Sequence, residues 1–367
     1  MLRAILSVIQ RNSKLLVRKK GLMIQPTVVP IVMLLLSAII FGGGGDAWPI
    51  GLVNHSDSEE AASLVESIKE SHSNISPYFQ LISTDEAEAS QLVDQGRIQL
   101  LIDIPENYAQ TKTINIETFN INSDAMKNAR LRLEHAINNR LAETKSLEID
   151  YTLQTEKEQD VWRSAYLGGS CVLLALFFGS IMLGANLYAF EYENRTRKEI
   201  LLTPLGPVLA GIGNMLTAIL FAFVTTIPTL LVAMLFFRLS FSGWNAMKVL
   251  LGMLPIMLAC AGIGILLGRL FKKYRIIQPI LVIVAIGTVV IGGGFVGVPL
   301  LPEFAQTFTD FWVFSRIFTW FNPLLHGFVD YLSWSQWIGI ITAVILGVCL
   351  MIWSYTSETK HYMSGGQ

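Results

Sequence analysis

The sequence is poor in charge, cysteine and histidine, and each shortage excludes a class of protein. Asp, Glu, Lys and Arg make up 15% of the 367 residues, against roughly 25% in a soluble domain. A chain of this length can bury a good core, so the apolar excess needs another explanation. The three cysteines, Cys171, Cys260 and Cys349, all fall in apolar runs. None can brace a loop-rich domain, which excludes a disulfide framework, and they read as small hydrophobes. The five histidines, His55, His72, His135, His326 and His361, form no metal-ligand or hydrolase constellation. Neither Gly42–Gly45 nor Gly262-Ile-Gly264-Ile-Leu-Leu-Gly268 is followed by the Lys-Ser/Thr of a phosphate loop. No cofactor is therefore expected on this chain, and it is not expected to hydrolyse ATP by itself. The second glycine stretch reads instead as a close-packing face of a helix.

What the chain does have is long uncharged runs. Residues 22–41, 164–190, 208–237, 249–268, 276–302 and 338–357 contain no Asp, Glu, Lys or Arg. Each is as long as the ~20 residues a helix needs to cross a bilayer, or longer. Barrel strands would be shorter and alternating. The first run is too long for the apolar core of a signal peptide and lacks a cleavage site, so an uncleaved anchor is expected.

Charge distribution sets the expected orientation. Residues 1–20 carry Arg3, Arg11, Lys14, Arg18, Lys19 and Lys20 and no acid. Arg195, Arg197 and Lys198 follow the second run; Arg269, Lys272, Lys273 and Arg275 follow the fourth. Basic loops stay cytoplasmic, so both termini are expected inside. Residues 42–163 hold 21 of the 28 acids and are expected outside. The implied fold class is an all-α membrane bundle of six transmembrane helices with a small α/β extracytoplasmic domain inserted after the first helix.

The expected parts run as follows. Residues 1–20 form a cytoplasmic amphipathic helix and 21–41 the first span. Residues 42–163 form the external domain, and 164–367 hold spans two to six. Within the external domain, Pro49–Val53, Phe79–Ile82, Ile98–Ile104 and Ile114–Phe119 read as strands. Ser58–Ser71 and Asp85–Gln95 read as helices, the second stopped by Gly96. Ser123 to about Tyr166 reads as a mostly helical stretch running into the second span. The third run is too long for an upright span and suggests a tilt or break. Residues 299–335, punctuated by Pro299, Pro302 and Pro323 and dense in aromatics, read as an outer re-entrant hairpin.

Candidate chemistry is sparse. His326 and Asp330 are four residues apart, so a helix would put both on one face as a base and its orienter. No nucleophile accompanies them, and the blander reading is a polar pair at the outer interface. Intramembrane charges mark ion pathways; their absence favours hydrophobic or amphipathic cargo. An anchored surface receptor and a membrane enzyme are the rival readings.

One stretch carries more information: Glu191-Tyr-Glu193-Asn-Arg195-Thr196-Arg-Lys-Glu199-Ile-Leu201-Leu202-Thr203-Pro204-Leu205. Read alone it is a short charged helix, or a basic loop whose Arg195, Arg197 and Lys198 set topology. It resembles a segment of the permease family of type-2 ABC exporters, of the form E-x-E-x-G-T-x-x-x-L-L-x-[ST]-P. Arg195 stands where that pattern has Gly, and Lys19-Lys20 stands where many relatives have an acid-Pro pair. Ile50-Gly-Leu-Val53-Asn and Gly96-Arg-Ile-Gln-Leu-Leu-Ile-Asp-Ile-Pro105 resemble the family's external domain. Asn322-Pro323 with His326 resembles its N-P-x-x-H element.

The resemblance implies a coupling segment at 191–206. Glu191, Glu193, Thr196, Leu201, Leu202, Thr203 and Pro204 would dock on separate ATP-binding cassette subunits, which hold ATP and Mg. Asn322, Pro323, His326 and Asp330 become outer gate candidates. It also implies a second permease subunit, identical or paralogous, beside membrane lipid and with no nucleic acid. The expected place is the cell membrane, and the expected work is export of a lipid-like molecule or a membrane-active antibiotic.

Overall fold

A computed structural model describes residues 2–41, 47–73, 76–94, 98, 100–118, 123–144, 161–196, 206–295, 298 and 301–363. The chain divides into two compact units, residues 1–43 with 161–367, and residues 44–160.

The smaller unit is a four-stranded sheet with helices on both faces. Strands β1 (Trp48–Asn54), β2 (Phe79–Ser83), β3 (Leu100–Ile104) and β4 (Asn115–Thr118) lie in the order β2-β1-β3-β4. β1 pairs in parallel with β2 and β3, and β4 closes one edge antiparallel to β3. Alternation along the strands builds two cores. Ile50, Leu52, Leu100, Ile102 and Ile104 point to α3 (Glu59–Glu70). Val53 and Leu101 point to Ala89 and Val93 of α4 (Glu86–Asp94). A Cβ on Gly51 would lie 2.8 Å from that of Ala89, so only glycine lets α4 sit this close. The short α5 (Tyr108–Thr111) and α6 (Ser123–Thr144) complete the unit. Gly96 lies outside the described residues.

The larger unit begins with α1 (Leu2–Arg18) and α2 (Gly21–Phe41) and resumes with α7 (Arg163–Glu193), α8 (Pro207–Phe236), α9 (Gly243–Phe271) and α10 (Tyr274–Ile291). Two short helices, α11 (Glu303–Phe311) and α12 (Ser315–His326), precede α13 (Trp334–Met363). Six of these, α2, α7, α8, α9, α10 and α13, are long and apolar enough to cross a membrane. Nearly all of α7 is buried, so it forms the axis of the unit. The outer helices expose aliphatic stripes instead, such as Ile24, Val28 and Val32 on α2 and Leu220, Val224 and Ile227 on α8. Such apolar surface is stable in lipid or against a partner, not in water.

Glycine sets the packing around the axis. A Cβ on Gly268 would lie 2.7 Å from the Ala185 oxygen, and one on Gly184 2.6 Å from the Ala261 oxygen. Gly262 likewise meets the backbone of Gly347. The glycine stretch of α9 is thus the close-packing face its composition implied, against α7 on one side and α13 on the other.

The structure adds detail at four stretches. Of the stretch from Ser123 to Tyr166, α6 covers Ser123–Thr144, residues 145–160 lie outside the described residues, and α7 starts after an N-cap at Trp162. The third run is unbroken, a 30-residue helix that carries Pro228 inside it. The fifth is shorter than its uncharged run, because α10 stops at Ile291 and the chain turns at Gly293 (φ +89°). Within 299–335, expected as a re-entrant hairpin, the structure has two short helices, and the second packs Phe318, Phe321 and Leu324 into the core.

Candidate functional site

Two groups of hydrogen-bonded polar side chains lie at the two ends of α7. At the end nearer α1, five side chains close a ring. Arg11 of α1 donates to Asn12 Oδ1 at 3.0 and 2.9 Å and forms an ion pair with Glu191. Asn12 donates to Asn214 of α8, and Asn214 donates to the hydroxyl of Tyr355 on α13. Tyr355 donates to Glu191 Oε2 at 3.3 Å. Every bond points from the guanidinium toward the carboxylate, so the ring is a directed path from cation to anion. Asn12, Asn214 and Tyr355 are fully buried. Buried amides are tolerated when every member of a network is satisfied.

Small residues make the ring possible. A Cβ on Gly213 would collide with Val8 of α1, 2.7 Å from its Cβ. Gly211 likewise leaves room for Met351 and Tyr355. The Tyr355 ring stands edge-on to Tyr188 at 5.2 Å, and Tyr188 donates to the Ser354 carbonyl at 3.2 Å. The aromatic pair thereby fixes where the Tyr355 hydroxyl points.

A second polar node lies five residues back along α7. Pro26 has no N–H, so the Leu22 carbonyl loses its helical partner. Asn186 supplies one, donating Nδ2 to Leu22 O at 2.9 Å. Gln278 of α10 donates in turn to Asn186 Oδ1 at 3.4 Å. The final turns of α7 thus hold α1, α2, α8, α10 and α13 through polar side chains.

Glu191 and Glu193 lie in the last turn of α7 rather than on a separate short helix, which corrects the sequence reading. Glu191 is buried and Glu193 exposed. Asn194 caps the helix and Arg195 follows in the left-handed conformation (φ +57°). Glycine adopts that conformation without a Cβ penalty. The glycine of the resembling pattern therefore has a physical role here, and Arg195 fills it under strain. Thr196 donates to the Glu191 carbonyl at 3.2 Å. Leu201, Leu202, Thr203 and Pro204 lie outside the described residues.

The opposite end of α7 is aromatic, and the Arg238 guanidinium lies over the Trp162 ring, 4.2 Å from its centroid. His326 stacks on Tyr166 with centroids 6.5 Å apart and planes 17° from parallel. Tyr166 donates to the Gly293 carbonyl at 2.7 Å, and Asn322 donates to Ser170 Oγ at 2.8 Å. A Cβ on Gly169 would lie 2.8 Å from Asn322 Oδ1 and 3.2 Å from His326 Nε2, so glycine admits α12 here.

His326 and Asp330 do not share a helical face. α12 ends at His326, and Gly327 turns left-handed (φ +74°). The Gly327 and Phe328 N–H groups cap the Leu324 and Pro323 carbonyls at 3.3 and 2.9 Å, a Schellman closure. Asp330 is exposed and pairs with Lys248 of α9 at 3.0 Å. The acid–base pair an enzyme would use is not formed. Of the four outer candidates, Asn322 and His326 meet at α7, Pro323 contributes a capped carbonyl, and Asp330 belongs to a separate ion pair.

Sequence reasoning found Glu191 but missed Arg11, Asn12, Asn186, Asn214, Gln278 and Tyr355. Polar residues inside uncharged runs were the available signal. Pro26, which orphans a carbonyl, was another.

Six membrane-length apolar helices, one of them the buried axis α7, define a multi-pass membrane protein. The ABC-2 family transporter protein model matches residues 20–355, and the chain belongs to that family. It is thus a membrane subunit of an ABC transporter, and the family implies an ATP-binding cassette partner in general. Neither a curated protein nor a solved structure matches the chain.

Proposed function

We propose that the chain is the permease of an ATP-driven exporter in the cell membrane, with both termini cytoplasmic. Two permease subunits would pair with two ATPase subunits and move a hydrophobic or amphipathic cargo, such as a lipid or a membrane-active antibiotic. The observation that carries this reading is the ring of Arg11, Asn12, Asn214, Tyr355 and Glu191. It stands at the start of residues 191–206, the stretch that would dock on the ATPase. A push on that stretch reaches Glu191 first. The ring then passes it to α1, α8 and α13, so four elements respond to one input. Differential affinity of the two resulting states for cargo would do the transport work. Cargo class follows from the walls, because the apolar runs offer no charge to hold an ion.

The test is Leu201→Asp with Leu202→Asp, in cells that also express the ATPase. Two apolar side chains are lost from a packed contact and charge is buried instead, a cost of several kcal/mol. The variant should insert normally yet lose both ATPase co-purification and cargo-stimulated hydrolysis. Survival of both would refute the docking assignment.

A further inference from the structure

α1 presents three faces. Asn12 and Leu16 are buried against the larger unit. At 100° per residue, Leu2, Leu6, Ser13 and Val17 form a second stripe, and Leu2, Leu6 and Val17 are 72%, 54% and 58% exposed. Arg3, Lys14 and Arg18 form a third stripe beside it, all exposed, and Lys19 and Lys20 extend it toward α2. No acid occurs in residues 1–20. An apolar stripe bordered by cations is the pattern of a helix lying in a bilayer interface. The next helix, α2, starts at Gly21 and is itself of membrane-spanning character. That places α1 at the boundary between lipid and water.

We propose that α1 is a docking surface for anionic phospholipid, the apolar stripe entering the acyl boundary and Arg3, Lys14 and Arg18 holding headgroup phosphates. Charge complementarity selects this occupant, since the surface carries only cations around its exposed aliphatic stripe. The same helix supplies Arg11 and Asn12 to the ring. Headgroups that fix α1 therefore steady the ends of α7, α8 and α13. The proposal stands on the membrane assignment alone and is independent of cargo and partner.

The experiment uses the full chain without its ATPase, in nanodiscs of zwitterionic lipid with increasing phosphatidylglycerol. Cys349 is the exposed cysteine while Cys171 and Cys260 are buried, so Cys349→Ser with Ser13→Cys allows one environment-sensitive fluorophore on the apolar stripe. Anionic lipid should shift the emission toward that of an apolar site and raise the thermal midpoint. Each of Arg3→Gln, Lys14→Gln and Arg18→Gln should weaken the apparent affinity about fivefold, and the triple variant roughly a hundredfold. The charge-conserving set Arg3→Lys, Lys14→Arg and Arg18→Lys should keep it. If the triple variant does not fold, raised salt on the unaltered charges is the substitute, and the response must fall as screening grows. An emission response equal in neutral and anionic discs, or insensitive to both charge removal and salt, would overturn the proposal. The cationic face would then fit an acidic protein surface instead.

Discussion

The two ends of α7 solve the same packing problem with different chemistry. Near α1 the joint is ionic and directed, running through Arg11, Asn12, Asn214 and Tyr355 to Glu191. At the other end it is aromatic, with His326 stacked on Tyr166 and Asn322 bonded to Ser170. A closed ring with one buried carboxylate has few alternative arrangements. A stacked pair slides with little loss. In the proposed function, the difference would suit one end to transmit a displacement and the other to yield to one.

The most direct way to break the comparison is to strand the carboxylate. The Glu191 side chain is 4% exposed and that of Arg11 42%. Arg11→Leu leaves a buried anion with Tyr355 as its donor within the ring, and should cost about 3 kcal/mol. Glu191→Gln leaves a guanidinium that can turn to water and an amide that still accepts, so it should cost only about 1 kcal/mol. Thermal or denaturant unfolding of the purified chain checks the asymmetry. Equal losses would mean that the ring is not the joint described. At the aromatic end, His326→Gln should cost about 1 kcal/mol, a polar side chain of similar reach replacing an aromatic contact. Transport should remain substantial and the partner's ATP hydrolysis should persist. Complete loss in a folded, partner-bound variant would restore a chemical role for His326. The smallest effect is expected at Arg195→Gly, which relieves the left-handed strain. The gain should be under about 1 kcal/mol once the extra freedom of glycine in the unfolded chain is subtracted. A loss there would show that the Arg195 side chain has a contact of its own.

The sequence made the coarse architecture readable because hydrophobicity is local. Uncharged runs mark membrane helices, and short apolar runs at Pro49–Val53 and Ile98–Ile104, the second stopped by Pro105, mark strands. Ser58, the first residue of an expected helix, turns out to be its cap and accepts from the Ala61 N–H. The ring was not legible, because its bonds between helices join residues 141 to 202 apart across α1, α7, α8 and α13. Arg11 looks like one more cytoplasmic base, and Tyr355 like one more interfacial aromatic. His326 and Asp330 misled for the opposite reason. Their spacing fits a helix, but Gly327 between them was the stop signal and outweighed it.

The glycine contacts of α9 set the mechanical character of the larger unit. With backbone against backbone at Gly184–Ala261, Gly268–Ala185 and Gly262–Gly347, the three helices have no side-chain cushion between them to compress. Interiors packed this closely pass strain on rather than absorb it. They therefore work as a single lever. α7 has 31 residues, and at 1.5 Å each it is about 45 Å long, so a tilt of ~5° at Glu191 sweeps the Tyr166 end by ~4 Å. A side chain larger than hydrogen at Gly262 or Gly268 would insert a soft washer into that lever. The stroke would then shorten before cargo affinity was touched.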